Sequence, residues 1–133
     1  MSLKYIVGGK IVLPEAVVAD KALAFDTESG KIVGLVDAVP AGADVIDAKG
    51  GYVAPGLVDV HTHGRTKGDF NFADEQGVRD LRKSYAAVGT TTLMATLASA
   101  TKESLLASME AISKNRAVEP GTATIAGTHL EGR

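Results

Sequence analysis

The chain has 133 residues, with 14 basic against 16 acidic side chains, a net charge of −2 and no cysteine. That length suits one domain of ordinary size. The balanced, scattered charge points away from nucleic acid and from a membrane surface, and the missing thiols exclude disulfides and thiolate metal sites. No signal-peptide pattern and no apolar run of about 18 residues is read in these 133 residues, so no membrane partner is expected and the cytoplasm is the default expectation.

Residues 1–54 read as a small all-β unit. Apolar and β-branched runs at 5–7, 10–13, 22–25, 31–36 and 45–46 are punctuated by Gly8-Gly9, Pro14, the loop 26–30 and Pro40-Ala41-Gly42, which predicts short antiparallel strands joined by turns. Gly8-Gly9 is a turn rather than a phosphate loop, because no helix start and no Lys-Ser/Thr pair follow it.

From Pro55 the pattern changes to α/β. Pro55-Gly56 predicts a type II turn with Gly56 at positive φ, and Leu57, Val58 and Val60 predict a short buried strand. His61 and His63 close that strand. Side chains two apart share a face of a strand, so both imidazoles project together, and Gly64 lets the chain turn away. After a polar loop over 65–71, Val78, Leu81, Tyr85 and Val88 fall at helical spacing, with Asp74 and Glu75 at the positive end and Gly89 as the C′ residue. Residues 90–96 are a β-branched second strand. Thr101 caps a second helix whose buried stripe is Leu105, Met109 and Ile112, and Pro120-Gly121 stops it. A third strand over 123–130 carries His129 and leads into Glu131. The strand-helix-strand-helix-strand order predicts parallel pairing and right-handed crossovers.

In parallel α/β folds ligands gather at the C-terminal ends of the strands, so His61, His63 and Glu131 are expected to meet at one mouth. Two neutral imidazoles and a carboxylate suit a divalent metal, zinc first, with iron, manganese and cobalt as alternatives. A metal there can polarise an amide carbonyl and lower the pKa of bound water from 15.7 toward roughly 7. His129 shares the face of Glu131; a partner that orients a ligand, or a satisfied polar residue, is preferred over a ligand. Asp59, one pleat deeper on the histidine face, is read as structural or as supporting a ligand. Met94 and Met109 read as core filler, and Arg65 and Lys67 as solvated loop residues.

The run Pro55-Gly56-Leu57-Val58-Asp59-Val60-His61-Thr62-His63 resembles the strand that opens the barrel of the amidohydrolase superfamily. Thr128-His129-Leu130-Glu131-Gly132 is similar to the His-Leu-Glu-Gly signature of the N-acetylglucosamine-6-phosphate deacetylases; where that family has Pro next, this chain has Arg133. The resemblance implies a partial (β/α)8 barrel, its first three strands and two helices in residues 55–133, preceded by part of a small β-sandwich in residues 1–54. A complete barrel takes roughly 250 residues, so the chain is expected to be the N-terminal part of such an enzyme. The implied activity is metal-dependent removal of the N-acetyl group from N-acetylglucosamine 6-phosphate. The implied metal ligands are His61, His63 and Glu131, further ligands and the catalytic Asp come from later strands, and no catalytic residue lies in this chain. The implied partners are a small amino-sugar phosphate and, in the full-length enzyme, a second copy in a dimer. Two alternatives stay open: another amide hydrolase of the superfamily, such as a cyclic-amide hydrolase, and a non-catalytic fragment or assembly module.

Overall fold

The computed structural model describes residues 2–132; Met1 and Arg133, and with the latter the departure from the deacetylase signature, lie outside the described residues. The chain divides into two compact units, Met1–Pro55 and Gly56–Arg133.

The first unit contains β1 (Leu3–Val7), β2 (Lys10–Val12), β3 (Val17–Val18), β4 (Ala22–Asp26), β5 (Lys31–Val36), β6 (Asp44–Asp47) and β7 (Tyr52–Val53). They form a four-stranded sheet in the order β5-β4-β1-β6 and a three-stranded sheet in the order β3-β2-β7. The pairings β1/β4, β4/β5 and β2/β3 are antiparallel. Those of β1 with β6 and β2 with β7 are parallel, which corrects the expectation of a wholly antiparallel unit. Parallel neighbours need a long return connection, and the strands lying between each of these partners in sequence provide one. Among its described residues the buried apolar ones are Tyr5, Ile11, Ala22 and Ala24. Asp26 ends β4 by accepting from the Ser29 hydroxyl and the Ser2 backbone N–H, bonds that hold its carboxyl below the ordinary range.

The second unit is mixed α/β: β8 (Leu57–Thr62), a two-residue hairpin of β9 (Gly64–Arg65) and β10 (Gly68–Asp69), α1 (Glu75–Ala86), β11 (Thr90–Leu97), α2 (Lys102–Lys114) and β12 (Thr124–Leu130). The sheet runs β12-β11-β8, with both pairings parallel. Asp74 and Thr101 cap the two helices by accepting from Gly77 N at 2.8 Å and Ser104 N at 3.2 Å, which satisfies amide donors that the first turn leaves unpaired. Val78, Leu81 and Tyr85 of α1, Leu105 and Ile112 of α2, Leu93, Ala95 and Leu97 of β11, and Ile125 of β12 merge with Phe70 and Ala123 into one buried cluster. Arg82 is buried as well, its guanidinium donating to the Ala123 and Ala117 carbonyls, and this ties α1 to the start of β12. Burial lowers its pKa.

Several local expectations change. Leu57, Val58 and Val60 are exposed rather than buried, because β8 is an edge strand and the helices cover β11 and β12 more fully. Gly56 is not at positive φ. Glycine is required there for a different reason: a Cβ would overlap the Thr91 side chain. The first helix ends on Ala87, so Gly89, at φ +87°, lies beyond the C′ position. In α2 the inner stripe is Leu105, Ser108 and Ile112; Ser108 turns inward because its hydroxyl donates to the Asn71 carbonyl at 2.9 Å. Met109 is consequently at the rim and 36% exposed, not core filler. The stretch expected to be a polar loop holds the β9/β10 hairpin and the fully buried Phe70.

Candidate metal centre

Each donor of the site sits at the C-terminal end of a parallel strand. His61 is the penultimate residue of β8, His63 follows its last residue, and Glu131 follows β12. The Glu131 amide donates to the Leu97 carbonyl at 3.0 Å, which carries the ladder past the end of β12 and fixes the residue beside β11. Gly64, at φ +146°, has the Gly68 carbonyl where a Cβ would stand. The hairpin can therefore fold back directly after His63.

These placements bring together three donors from two strand ends. His61 Nε2 and His63 Nε2 are 3.3 Å apart, His63 Nε2 is 3.0 Å from Glu131 Oε2, and His61 Nε2 is 4.0 Å from Glu131 Oε1. One ligand atom from each residue lies within 4.8 Å of the others, a group that could hold a metal ion. Ligands about 2.1 Å from a tetrahedral ion are separated by about 3.4 Å, close to the two shorter distances. The donor chemistry points the same way. Each imidazole nitrogen carries either a proton or a lone pair. If His63 Nε2 lacks the proton, its lone pair faces a carboxylate oxygen; if it carries the proton, that one hydrogen must serve both Glu131 and His61. A cation satisfies all three donors at once, so the residues present fit a divalent metal. All three side chains remain between 39% and 50% exposed, which leaves room for further ligands or a substrate.

The two residues expected nearby both contact His61. The His129 ring packs against that of His61 with centroids 4.9 Å apart and planes tilted by 55°. Asp59 Oδ1 accepts from the His61 backbone N–H at 3.2 Å. Arg65 does not face the donors; its guanidinium donates to the Ser84 carbonyl and lies 5.7 Å over the Tyr85 ring, while Lys67 is exposed.

Four residues at the site escape the sequence reading. Thr96 Oγ1 accepts from the Thr62 amide at 3.0 Å, and the Thr62 and Tyr85 hydroxyls hydrogen-bond to each other. Phe70 donates its amide to the His63 carbonyl at 2.8 Å and stacks on Tyr85. Burial raises the Tyr85 pKa, partly opposed by the bond to Thr62. A usable signal did exist at Tyr85, since a tyrosine in a buried helical stripe needs a partner for its hydroxyl.

The sequence profile of the Amidohydrolase family matches residues 44–127. Among curated proteins the chain is similar to a 5-methylthioadenosine/S-adenosylhomocysteine deaminase of Halobacterium salinarum, 38% identical over 58 residues that make up 44% of this chain and 13% of that protein. It is also similar to a dihydroorotase of Trichlorobacter lovleyi, 43% identical over 65 residues, 47% of this chain and 15% of that protein. Among solved structures, the N-acetylglucosamine-6-phosphate deacetylase of Pasteurella multocida shares the fold with a TM-score of 0.84 at 22% identity, over 98% of this chain and 34% of that one. The N-acetyl-D-glucosamine-6-phosphate deacetylase of Mycobacterium smegmatis aligns over 99% of this chain and 35% of its own at 28% identity, with a TM-score of 0.69. The chain thus spans about a third of the deacetylases and a smaller share of the two curated relatives.

Proposed function

The chain belongs to the Amidohydrolase family, and from that premise we propose that it supplies the metal-holding first part of a hydrolase that removes the N-acetyl group from N-acetylglucosamine 6-phosphate. The observation that carries this is the convergence of His61, His63 and Glu131, with Glu131 set in the His-Leu-Glu-Gly run. The alignment with the Mycobacterium smegmatis deacetylase over 99% of the chain supports it further. In this reading residues 55–133 begin a (β/α)8 barrel, residues 1–54 are part of a β-sandwich, and the complete enzyme is a cytoplasmic dimer.

The residues divide the work by position. His61 Nε2, His63 Nε2 and a Glu131 oxygen would hold the ion, zinc being the first choice for this donor set. A divalent ion held there would supply Lewis acidity and lower the pKa of a water beside it, the chemistry that amide hydrolysis near neutral pH requires. Asp59 fixes the His61 backbone, and the His129 ring limits rotation of the His61 ring. The catalytic Asp that the resemblance implies would come from later strands. The chain alone is therefore expected to bind metal without turning over substrate.

A second reading, hydrolysis of a cyclic amide, is supported by the 43% identity to a dihydroorotase. The two are separated by assaying a protein that carries this chain at full family length. Acetate release from N-acetylglucosamine 6-phosphate is the expected result. Ring opening of a cyclic amide with no acetate release would replace the deacetylase reading by the second. Acetate release by the 133-residue chain itself, at an ordinary rate of roughly 1 to 10³ s⁻¹, would overturn its assignment as a metal-holding part only.

A further inference from the structure

The tripeptide that presents the two histidines is held almost wholly by hydrogen bonds. On its N-terminal side the His61 amide donates to Asp59 Oδ1 at 3.2 Å. In its middle, the Thr62 amide donates to Thr96 Oγ1 at 3.0 Å. The pairing of β8 with β11 slips its register between Leu93 and Ala95, and Thr62, opposite Ala95, is the residue at which the ladder resumes. The Thr62 hydroxyl in turn meets the Tyr85 hydroxyl. On the C-terminal side the His63 carbonyl accepts from Phe70 N at 2.8 Å.

The far ends of these bonds are rigid. Thr96 is fully buried, and its hydroxyl also reaches the Met94 carbonyl at 3.4 Å. Tyr85 belongs to the buried cluster, stacked parallel to Phe70 with centroids 6.4 Å apart. Side chains alternate along a strand, so when His61 and His63 point toward the donors, Thr62 points to the opposite face. That face is where Tyr85 lies. A one-residue slip would exchange the faces and carry both imidazoles away from Glu131. With Val58 and Val60 exposed, apolar packing does little to oppose such a slip.

We infer that Thr96 and Tyr85, gripping Thr62 from two sides, are positioning residues that set the register of the His61–Thr62–His63 segment and thereby the convergence of the metal donors. The inference rests on the reading of His61, His63 and Glu131 as metal ligands and adds the residues that determine how well they hold an ion. Thr96 acts through an acceptor oxygen, so serine can replace it and valine, of similar shape, cannot. Tyr85 acts through its hydroxyl, so phenylalanine keeps the ring in the core and removes only the grip on Thr62.

The test is cobalt(II) titration of the metal-stripped 133-residue chain, read by calorimetry and by visible absorption, whose intensity reports coordination geometry. Circular dichroism and thermal melting follow the fold in parallel. Partners outside the coordination sphere typically account for about 10–100-fold in metal affinity, and Thr96→Val is expected to lose that much and to change the absorption band. Thr96→Ser should stay within about threefold of the parent chain. Tyr85→Phe should weaken binding in the same direction by a smaller factor, and it carries the test if Thr96→Val does not fold. Parent-like affinity and spectrum in the folded Thr96→Val or Tyr85→Phe chain would overturn the inference while leaving the metal site standing. Equal losses in Thr96→Val and Thr96→Ser would also overturn it. Absence of cobalt binding by the parent chain would sink the metal site and the inference together.

Discussion

Leu93, Ala95 and Leu97 on β11 have no exposure, whereas on the neighbouring strand β8 Leu57, Val58 and Val60 are exposed by 61–69%. The two strands share one parallel sheet. β11 is held by apolar side chains from both helices. β8, which carries the histidines, is held by its ladder with β11, by the Leu57 amide on the Gly89 carbonyl, and by hydroxyl bonds at Thr62. Apolar packing is strong and tolerant of small shifts, while hydrogen bonds are weaker and directional. The comparison teaches that this unit separates stability from site geometry: β11 holds the fold together, and the polar grip on β8 aims the donors.

The contrast is broken most severely at β11. Leu93→Ala should destabilise the second unit by about 2–5 kcal/mol, the usual cost of a cavity at a fully buried leucine, as read by denaturant unfolding. A loss below about 1 kcal/mol would show that β11 is not the anchor.

A smaller effect is expected at Tyr85, which belongs to both strands' environments through its ring and its hydroxyl. Tyr85→Phe should cost about 0.5–1.5 kcal/mol, the net worth of one hydrogen bond. It should also change the alkaline limb of stability. Burial raises the folded-state pKa of Tyr85, so its contribution is fully present below the unfolded value of about 10 and is lost as pH rises through the folded value. In the phenylalanine variant that dependence should vanish, and the missing part of the ultraviolet tyrosinate titration should lie above the ordinary phenol range. An unchanged alkaline limb would contradict the burial account.

The smallest effect belongs to the apolar face of β8. Val60→Ala should change stability by no more than about 0.5 kcal/mol, as for other exposed positions. A loss as large as that of Leu93→Ala would mean that β8 is packed in solution and would erase the comparison.

Much of this arrangement is legible in the sequence, and the parts that are not share a cause. Helix starts follow from Asp74 and Thr101 because an N-cap depends on residues a few positions away, and the common face of His61 and His63 follows from strand period alone. The exposure of Val60 is not legible, since an apolar run in a central strand and one in an edge strand look the same until the sheet order is known. Gly56 is legible as a special residue but not for its reason, because the Thr91 side chain that it accommodates lies 35 positions away. The bonds of Thr62 to Thr96 and Tyr85 span 34 and 23 positions. No local pattern encodes them. Ser108 displaces Met109 from the inner stripe through a bond to Asn71 that spans 37 positions, and composition favours the methionine.

The central claim, that His61, His63 and Glu131 form one metal-binding set, is tested most directly by titrating zinc into the metal-stripped chain and into His63→Ala and Glu131→Ala variants. The account predicts a single ion per parent chain. Either substitution should weaken binding by on the order of 100-fold or more, beyond the cost of losing an outer partner, with an unchanged circular dichroism spectrum. Parent-like zinc affinity in the folded His63→Ala and Glu131→Ala chains, or no binding by the parent chain, would contradict it.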